Sequence, residues 1–142
     1  MIKKFELDLS SKITMFGIEL FRIKALISFD NVKKGELGGY VEKEENLSHS
    51  GDAWVSGDAE VYGNAEVSGD ARVSKLNDYI VFKNNWSSGR YFTYTRSNKM
   101  WKVGCFYGTG EELIKKAYQD SKDSGKHYEA YVNLVKTLEQ EE

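Results

Sequence analysis

A six-residue unit governs the middle of this chain. From Gly51 to Val73 the sequence reads GDAWVSGDAEVYGNAEVSGDARV. Gly51-Asp52-Ala53, Gly57-Asp58-Ala59, Gly63-Asn64-Ala65 and Gly69-Asp70-Ala71 stand in register, with valines at 55, 61, 67 and 73. A period of six is not helical spacing. Alanine and valine two positions apart fall on one side of an extended chain. Gly-Asp and Gly-Asn are turn formers that accept positive φ. Each unit therefore reads as a short strand plus a corner, with a small and a larger side chain turned inward. Such units cannot bury their faces alone, so they are expected to stack as the sides of a triangular prism. Four units make only about one and a third coils of such a prism. Neighbouring strands, a cap or another subunit must cover the open ends, which predicts a homo-oligomer, dimer or trimer. The preceding ENLSHS (45–50) reads as a degenerate fifth side, with Leu47 where alanine recurs.

The rest of the chain adds strands and two helices. At 142 residues it is one domain or two small ones. KITMFGIELFRIKALISF (12–29) is β-branched and aromatic, and Gly17 divides it into two strands. Residues 30–39 are rich in turn formers. KLND (75–78) reads as a junction, so the expected division is 1–77 and 78–142. After it come YIVFK (79–83), RYFTYTR (90–96) and KMWKVGCF (99–106), an antiparallel meander of three strands. A helix follows, opened by a capping box of Thr109 and Glu112. A second helix carries Tyr128, Tyr131, Val132, Val135 and Leu138 at helical spacing. The expected fold class is mostly β (α+β): a short hexapeptide-repeat β-helix, a three-stranded meander and two C-terminal helices.

Composition narrows the setting. The formal net charge is -2, so the whole molecule is not a basic nucleic-acid binder. The lone Cys105 fits a reducing, cytoplasmic compartment better than a disulfide scaffold. No apolar run approaches the roughly 18 residues of a membrane span. MIKKFELDLSSK lacks the apolar stretch of a signal peptide. Proline is absent, so Gly, Asn, Asp and Ser must make the turns.

The repeat, with VSGDAE and VSGDAR as its clearest copies, resembles the hexapeptide-repeat, left-handed parallel β-helix family. Upstream, Arg22-Ile23-x-Ala25-Leu26, Phe29, Val32, Gly35, Gly38-Gly39 and Asn46-Leu47-Ser48 are similar to the leading segment of such proteins in enteric bacteria, phages and prophages. The likeness covers about residues 13–74 and implies a phage or prophage origin in a bacterial host cytoplasm. The segment from WKVGCFYGT onward is also similar to modules of phage proteins. Longer relatives are often acyltransferases with a histidine base and a coenzyme A groove, which points to His49 as the residue to weigh. Fold alone does not carry that chemistry, and four units leave little room for the groove. No cofactor and no metal is expected. Asp52, Asp58 and Asp70 recur as corner residues and lack calcium-loop spacing. YGTGEE lacks the lysine and spacing of a P-loop, and Cys105 reads as a buried strand residue.

One segment stands apart. Residues 79–110 hold nine of the chain's nineteen aromatic residues and five bases, with no acid. Alternation along 90–96 places Arg90, Phe92, Tyr94 and Arg96 on one side, two guanidiniums flanking two rings. Arginine forks onto phosphates and rings stack on bases. The expected ligand is an anionic, nucleotide-type small molecule held by Arg90, Tyr94, Arg96, Trp101 and Lys102, with Trp86 as a lid. The expected role is a non-catalytic binder that sequesters a nucleotide-derived host immune signal. A protein-binding inhibitor of a host defence complex, using this surface or Trp54, and a minimal acyltransferase are the alternatives.

Overall fold

A computed structural model describes residues 2–140 as a mixed α+β fold dominated by sheet. Strands β1 (Phe5–Met15) and β2 (Ile18–Ala25) form a hairpin whose turn, Phe16-Gly17, takes φ of 50° and 80°. Two successive positive φ values suit the twist of a hairpin. β1 bulges between Asp8 and Ile13. There the Asp8 carboxylate accepts bonds from the Ser10 N–H and from the Ser10 and Ser11 hydroxyls, which blunts an edge strand. β2 pairs antiparallel with β3 (Leu37–Val41).

The repeats supply β4 (Trp54–Val55), β5 (Glu60–Val61) and β6 (Arg72–Val73), each of two residues. The corner glycines 51, 57, 63 and 69 adopt φ of 73°, 62°, 65° and 64°, and every repeat alanine and valine is buried. The unit is therefore a strand and a corner with Ala and Val inward. The units do not stack into a parallel β-helix solenoid, however. β5 joins a mixed sheet of order β1-β2-β3-β5, β4 pairs only with β6, and Leu47 makes an isolated bridge to Val67. The physical reason is length. A solenoid side needs its own copies above and below, and four units give each side too few partners. Upstream strand β3 takes one of the places instead.

The second half is an antiparallel sheet of order β10-β9-β8-β7, built from β7 (Tyr79–Lys83), β8 (Tyr91–Thr95), β9 (Met100–Val103) and β10 (Phe106–Thr109). It has four strands where three were expected, because Gly104 (φ 57°) turns the chain and Phe106–Thr109 pairs back on β9. α1 (Gly110–Asp120) starts at the expected capping box: Thr109 Oγ1 accepts the Glu112 N–H, and Glu112 Oε1 accepts the Thr109 N–H. α2 (Lys122–Gln140) buries Tyr128, Val132 and Val135, while Leu138 remains 47% exposed. No described helix is long and apolar enough to cross a membrane.

Two apolar clusters result, one inside the repeats and hairpin and one between the second sheet and the helices. Polar bonds close the seam between them: Glu66 N–H to Thr93 Oγ1 at 3.0 Å, Tyr79 Oη–H to the Glu60 carbonyl at 2.9 Å, and Asn98 Nδ2–H to Asp70 Oδ1 at 2.9 Å.

Lys4 is buried inside the first cluster's rim. Its ammonium donates to the carbonyls of Ala53 (2.6 Å) and Gly51 (3.3 Å) and lies over the Phe29 ring. Burial nevertheless lowers its pKa from 10.5 to about 8. Burial raises that of Tyr79 to about 12. Below pH 8 Lys4 is charged in both states and its desolvation cost is complete. From about pH 8 to 10.5 the unfolded chain holds more protons than the folded one, so stability rises with pH. Tyr79 acts oppositely: its stabilisation is complete below pH 10 and is lost between about 10 and 12. Urea unfolding is therefore expected to show stability climbing from pH 8 and turning over near pH 10. Lys4→Met should remove the climb; parallel curves for the two proteins would refute this role of Lys4.

Candidate functional site

The turn between β7 and β8 builds one wall of a cavity. Asn84, 4% exposed, accepts at Oδ1 from the N–H groups of Trp86 (3.2 Å) and Ser87 (2.9 Å) and from the Ser87 hydroxyl. An asparagine that bonds the backbone two and three residues ahead fixes a tight turn. Because backbone N–H groups can only donate, the amide orientation is determined. Asn84 Nδ2 then faces the Tyr128 hydroxyl at 3.3 Å, and that oxygen is the acceptor.

The consequence lies with the Tyr128 proton, which meets no acceptor among the described residues. Two serines repeat the pattern. Ser124 Oγ accepts from Trp86 Nε1 at 3.2 Å, and Ser88 Oγ accepts from the Arg90 N–H at 3.1 Å. Each hydroxyl uses its oxygen internally and keeps a donor. All three residues line a cavity of about 410 Å3 between the sheet and the helices. That is inside the roughly 300–1,000 Å3 span of small-molecule sites. Its apolar lining is Val103, Phe106, Leu113 and Ala117, and Arg90, Lys116 and Asp120 carry its charge.

Arg90 is held by shape. Its guanidinium lies against Gly104, where a Cβ would collide with it and where φ is positive. Glycine is required there twice over. Arg90 has no carboxylate within ion-pair reach among the described residues, while Lys116 reaches Asp120 at 3.2 Å. Burial raises the Tyr128 pKa; the Asn84 bond and the Arg90 charge oppose the rise and Asp120 adds to it. The phenol stays protonated at neutral pH and remains a donor.

The six predicted site residues do not converge. Arg90 lines the cavity. Trp86 is not a lid: its ring stacks on His127 at 4.3 Å and its nitrogen is fixed on Ser124. Phe92 and Tyr94 lie on the face of β8 that the helices cover. Phe92 (0% exposed), Tyr94 (3%) and Trp101 (2%) are core, so no base can stack on them from solvent. The Tyr94 hydroxyl donates to both Glu139 carboxylate oxygens, and burial together with that carboxylate raises its pKa. Arg96 borders a separate small cavity beside Tyr94, Leu138 and Glu139. Six residues of strand at ~3.3 Å each hold Arg90 and Arg96 about 20 Å apart. Lys102 lies elsewhere, in a groove of about 460 Å3 with Glu44, Glu45, His49 and Glu66, and donates to the Gly104 carbonyl.

Other expectations also change. Cys105 is exposed in the β9–β10 turn and lines the cavity rather than a core. Trp54 is 1% exposed and offers no docking surface. His49, the residue weighed as an acyltransferase base, is half-buried and held by its neighbours. Its Nδ1 accepts the Lys4 N–H at 3.1 Å, its Nε2–H donates to Glu44 at 2.6 Å, and its ring stacks on Phe5. Both ring nitrogens of His49 are therefore engaged within the protein. No group of three or more His, Cys, Asp or Glu that could hold a metal occurs among the described residues.

Sequence reasoning missed Asn84, Lys116, Ser124 and Tyr128. The NNWSSG turn carried a signal for the first, since asparagine before a turn bonds its own backbone. Helical spacing places Tyr128 on the apolar stripe of its helix and says nothing of where its hydroxyl goes. Comparison with protein-family models and with curated proteins finds no match, and the resemblance to hexapeptide-repeat proteins is not upheld.

Proposed function

We propose that this protein is a non-catalytic binding module that captures an anionic, nucleotide-type small molecule and sequesters it without transforming it. The charged group enters the cavity beside Arg90. One observation carries the reading: the Tyr128, Ser88 and Ser124 hydroxyls each retain a donor there, next to a guanidinium and an ammonium. A lining of uncommitted donors is satisfied by an acceptor-rich ligand, and bonds to an ionised oxygen are the stronger kind. Phe106 and the aliphatic floor suit the less polar remainder.

Isothermal titration with adenosine monophosphate and with cyclic dinucleotides tests this. Binding with unit stoichiometry per site is expected, and the ligand should be recovered intact by mass spectrometry. A charge-assisted bond contributes about 1.5–3 kcal/mol, so Arg90→Ala should weaken affinity by roughly 10- to 150-fold. Tyr128→Phe keeps the ring and removes the donor, a loss of roughly 2- to 10-fold. Wild-type affinity in both variants, or no binding by any of these ligands, would overturn the assignment.

A further inference from the structure

β7 is the outer strand of its sheet. The Asn84 N–H donates to the Arg90 carbonyl at 2.8 Å and the Arg96 N–H to the Asp78 carbonyl at 2.9 Å. These bonds continue a register with Ile80 opposite Tyr94 and Phe82 opposite Phe92. Antiparallel ladders alternate bonded and non-bonded pairs. Ile80 and Phe82 therefore give their backbone groups to β8, while Tyr79, Val81 and Lys83 turn theirs to the open edge. Nothing among the described residues meets those three.

Apolar surface gathers on both sides of this edge. On the repeat side, Leu76 (62% exposed) and Tyr91 (39%) border a groove of about 410 Å3 with Tyr62 and Val81. On the helix side, Leu138 (47%) shares a cavity with Ile80, and Leu134 (44%) stands one turn earlier on α2. An unpaired strand with exposed hydrophobics on both flanks invites another strand.

We propose that β7 pairs antiparallel with β7 of a second copy of this chain, about a two-fold axis through Val81, merging the two sheets into one. The edge is self-complementary. Val81 falls opposite Val81, and Tyr79 of one copy opposite Lys83 of the other. Every outward backbone group then finds a partner, the condition for a closed isologous contact. Charge agrees with the direction. Lys83 of each copy arrives at the start of the other's strand, opposite Tyr79, whose hydroxyl holds the Glu60 carbonyl. A parallel arrangement would set Lys83 against Lys83. The same axis brings Leu134 and Leu138 of the two α2 helices toward each other and covers Leu76 and Tyr91.

Sedimentation velocity and amide hydrogen exchange on the full chain test the contact. The wild-type protein should sediment at twice its 16.2 kDa chain mass. Its Tyr79, Val81 and Lys83 amides should exchange as slowly as those of Ile80 and Phe82. Lys83→Pro removes an outward N–H and leaves the β8 ladder intact, and Leu138→Glu places a charge at the contact. Each should yield a folded monomer in which only the Ile80 and Phe82 amides stay protected. A wild-type monomer at every concentration, fast exchange at Tyr79, Val81 and Lys83, or a dimer that persists in both variants would overturn the proposal.

Discussion

Replacing Phe92 with alanine is expected to destabilise the protein by about 3–5 kcal/mol, the range for deleting a large buried ring. Phe92 is fully buried at the centre of the second cluster. Its ring faces Phe82, Trp86, Trp101, Tyr128 and Tyr131 with centroids 5.1–6.3 Å away. Several of these pairs are edge-on, the arrangement aromatic quadrupoles favour. The neighbours come from the sheet, the β7–β8 turn and α2, so the cavity left behind cannot close by moving one element. A loss of that size is a large share of the roughly 5–15 kcal/mol that keeps a domain folded. Phe92→Leu should cost less, about 1–1.5 kcal/mol, because most of the volume remains. Urea unfolding of both variants decides the matter. A loss below about 1 kcal/mol for Phe92→Ala would show that the helices dock on the sheet by other contacts.

The second large effect is expected at Gly38. A Cβ there would stand 2.5 Å from the Val55 carbonyl oxygen, 2.7 Å from Ile23 and 2.8 Å from the Trp54 ring. The first of these is backbone and cannot swing aside. Gly39 is as constrained, with the Ala59 carbonyl oxygen 2.8 Å from its Cβ position. The pair lets β3 approach the repeats closely enough for Tyr40 N–H to reach the Ala59 carbonyl at 2.8 Å. Gly38→Ala should therefore cost about 1–3 kcal/mol or more, the penalty of overpacking, although alanine normally suits a strand better than glycine. Chemical unfolding would measure it. A neutral or stabilising outcome would mean that β3 can retreat from the repeats.

Much of the local structure was legible in residue order. The corner glycines, the inward alanines and valines, the hairpin break at Gly17, the Thr109–Glu112 cap and the buried stripe of α2 follow from short-range rules of dihedral freedom and periodicity. What those rules could not supply was the partner of each strand. The hexapeptide pattern is compatible with a solenoid, but β5 takes its neighbour from β3 and β4 from β6 alone. Alternation along 90–96 groups Arg90, Phe92, Tyr94 and Arg96 on one side. It does not say that α1 and α2 cover Phe92 and Tyr94 and convert these two of the four into core.

The site shows the same division. Sequence marked Arg90, because an arginine in an acid-free aromatic stretch is visible without coordinates. Asn84 and Tyr128 lie 44 positions apart. Only the docking of α2 on the sheet brings that amide to that hydroxyl, and only the Asn84 turn decides which of them donates. Residue types and spacing determined the corners, the helices and all but the last strand of the second sheet, since those depend on neighbours in the chain. The tertiary structure decided which faces are buried and which donors remain uncommitted, since those depend on groups that meet only after folding.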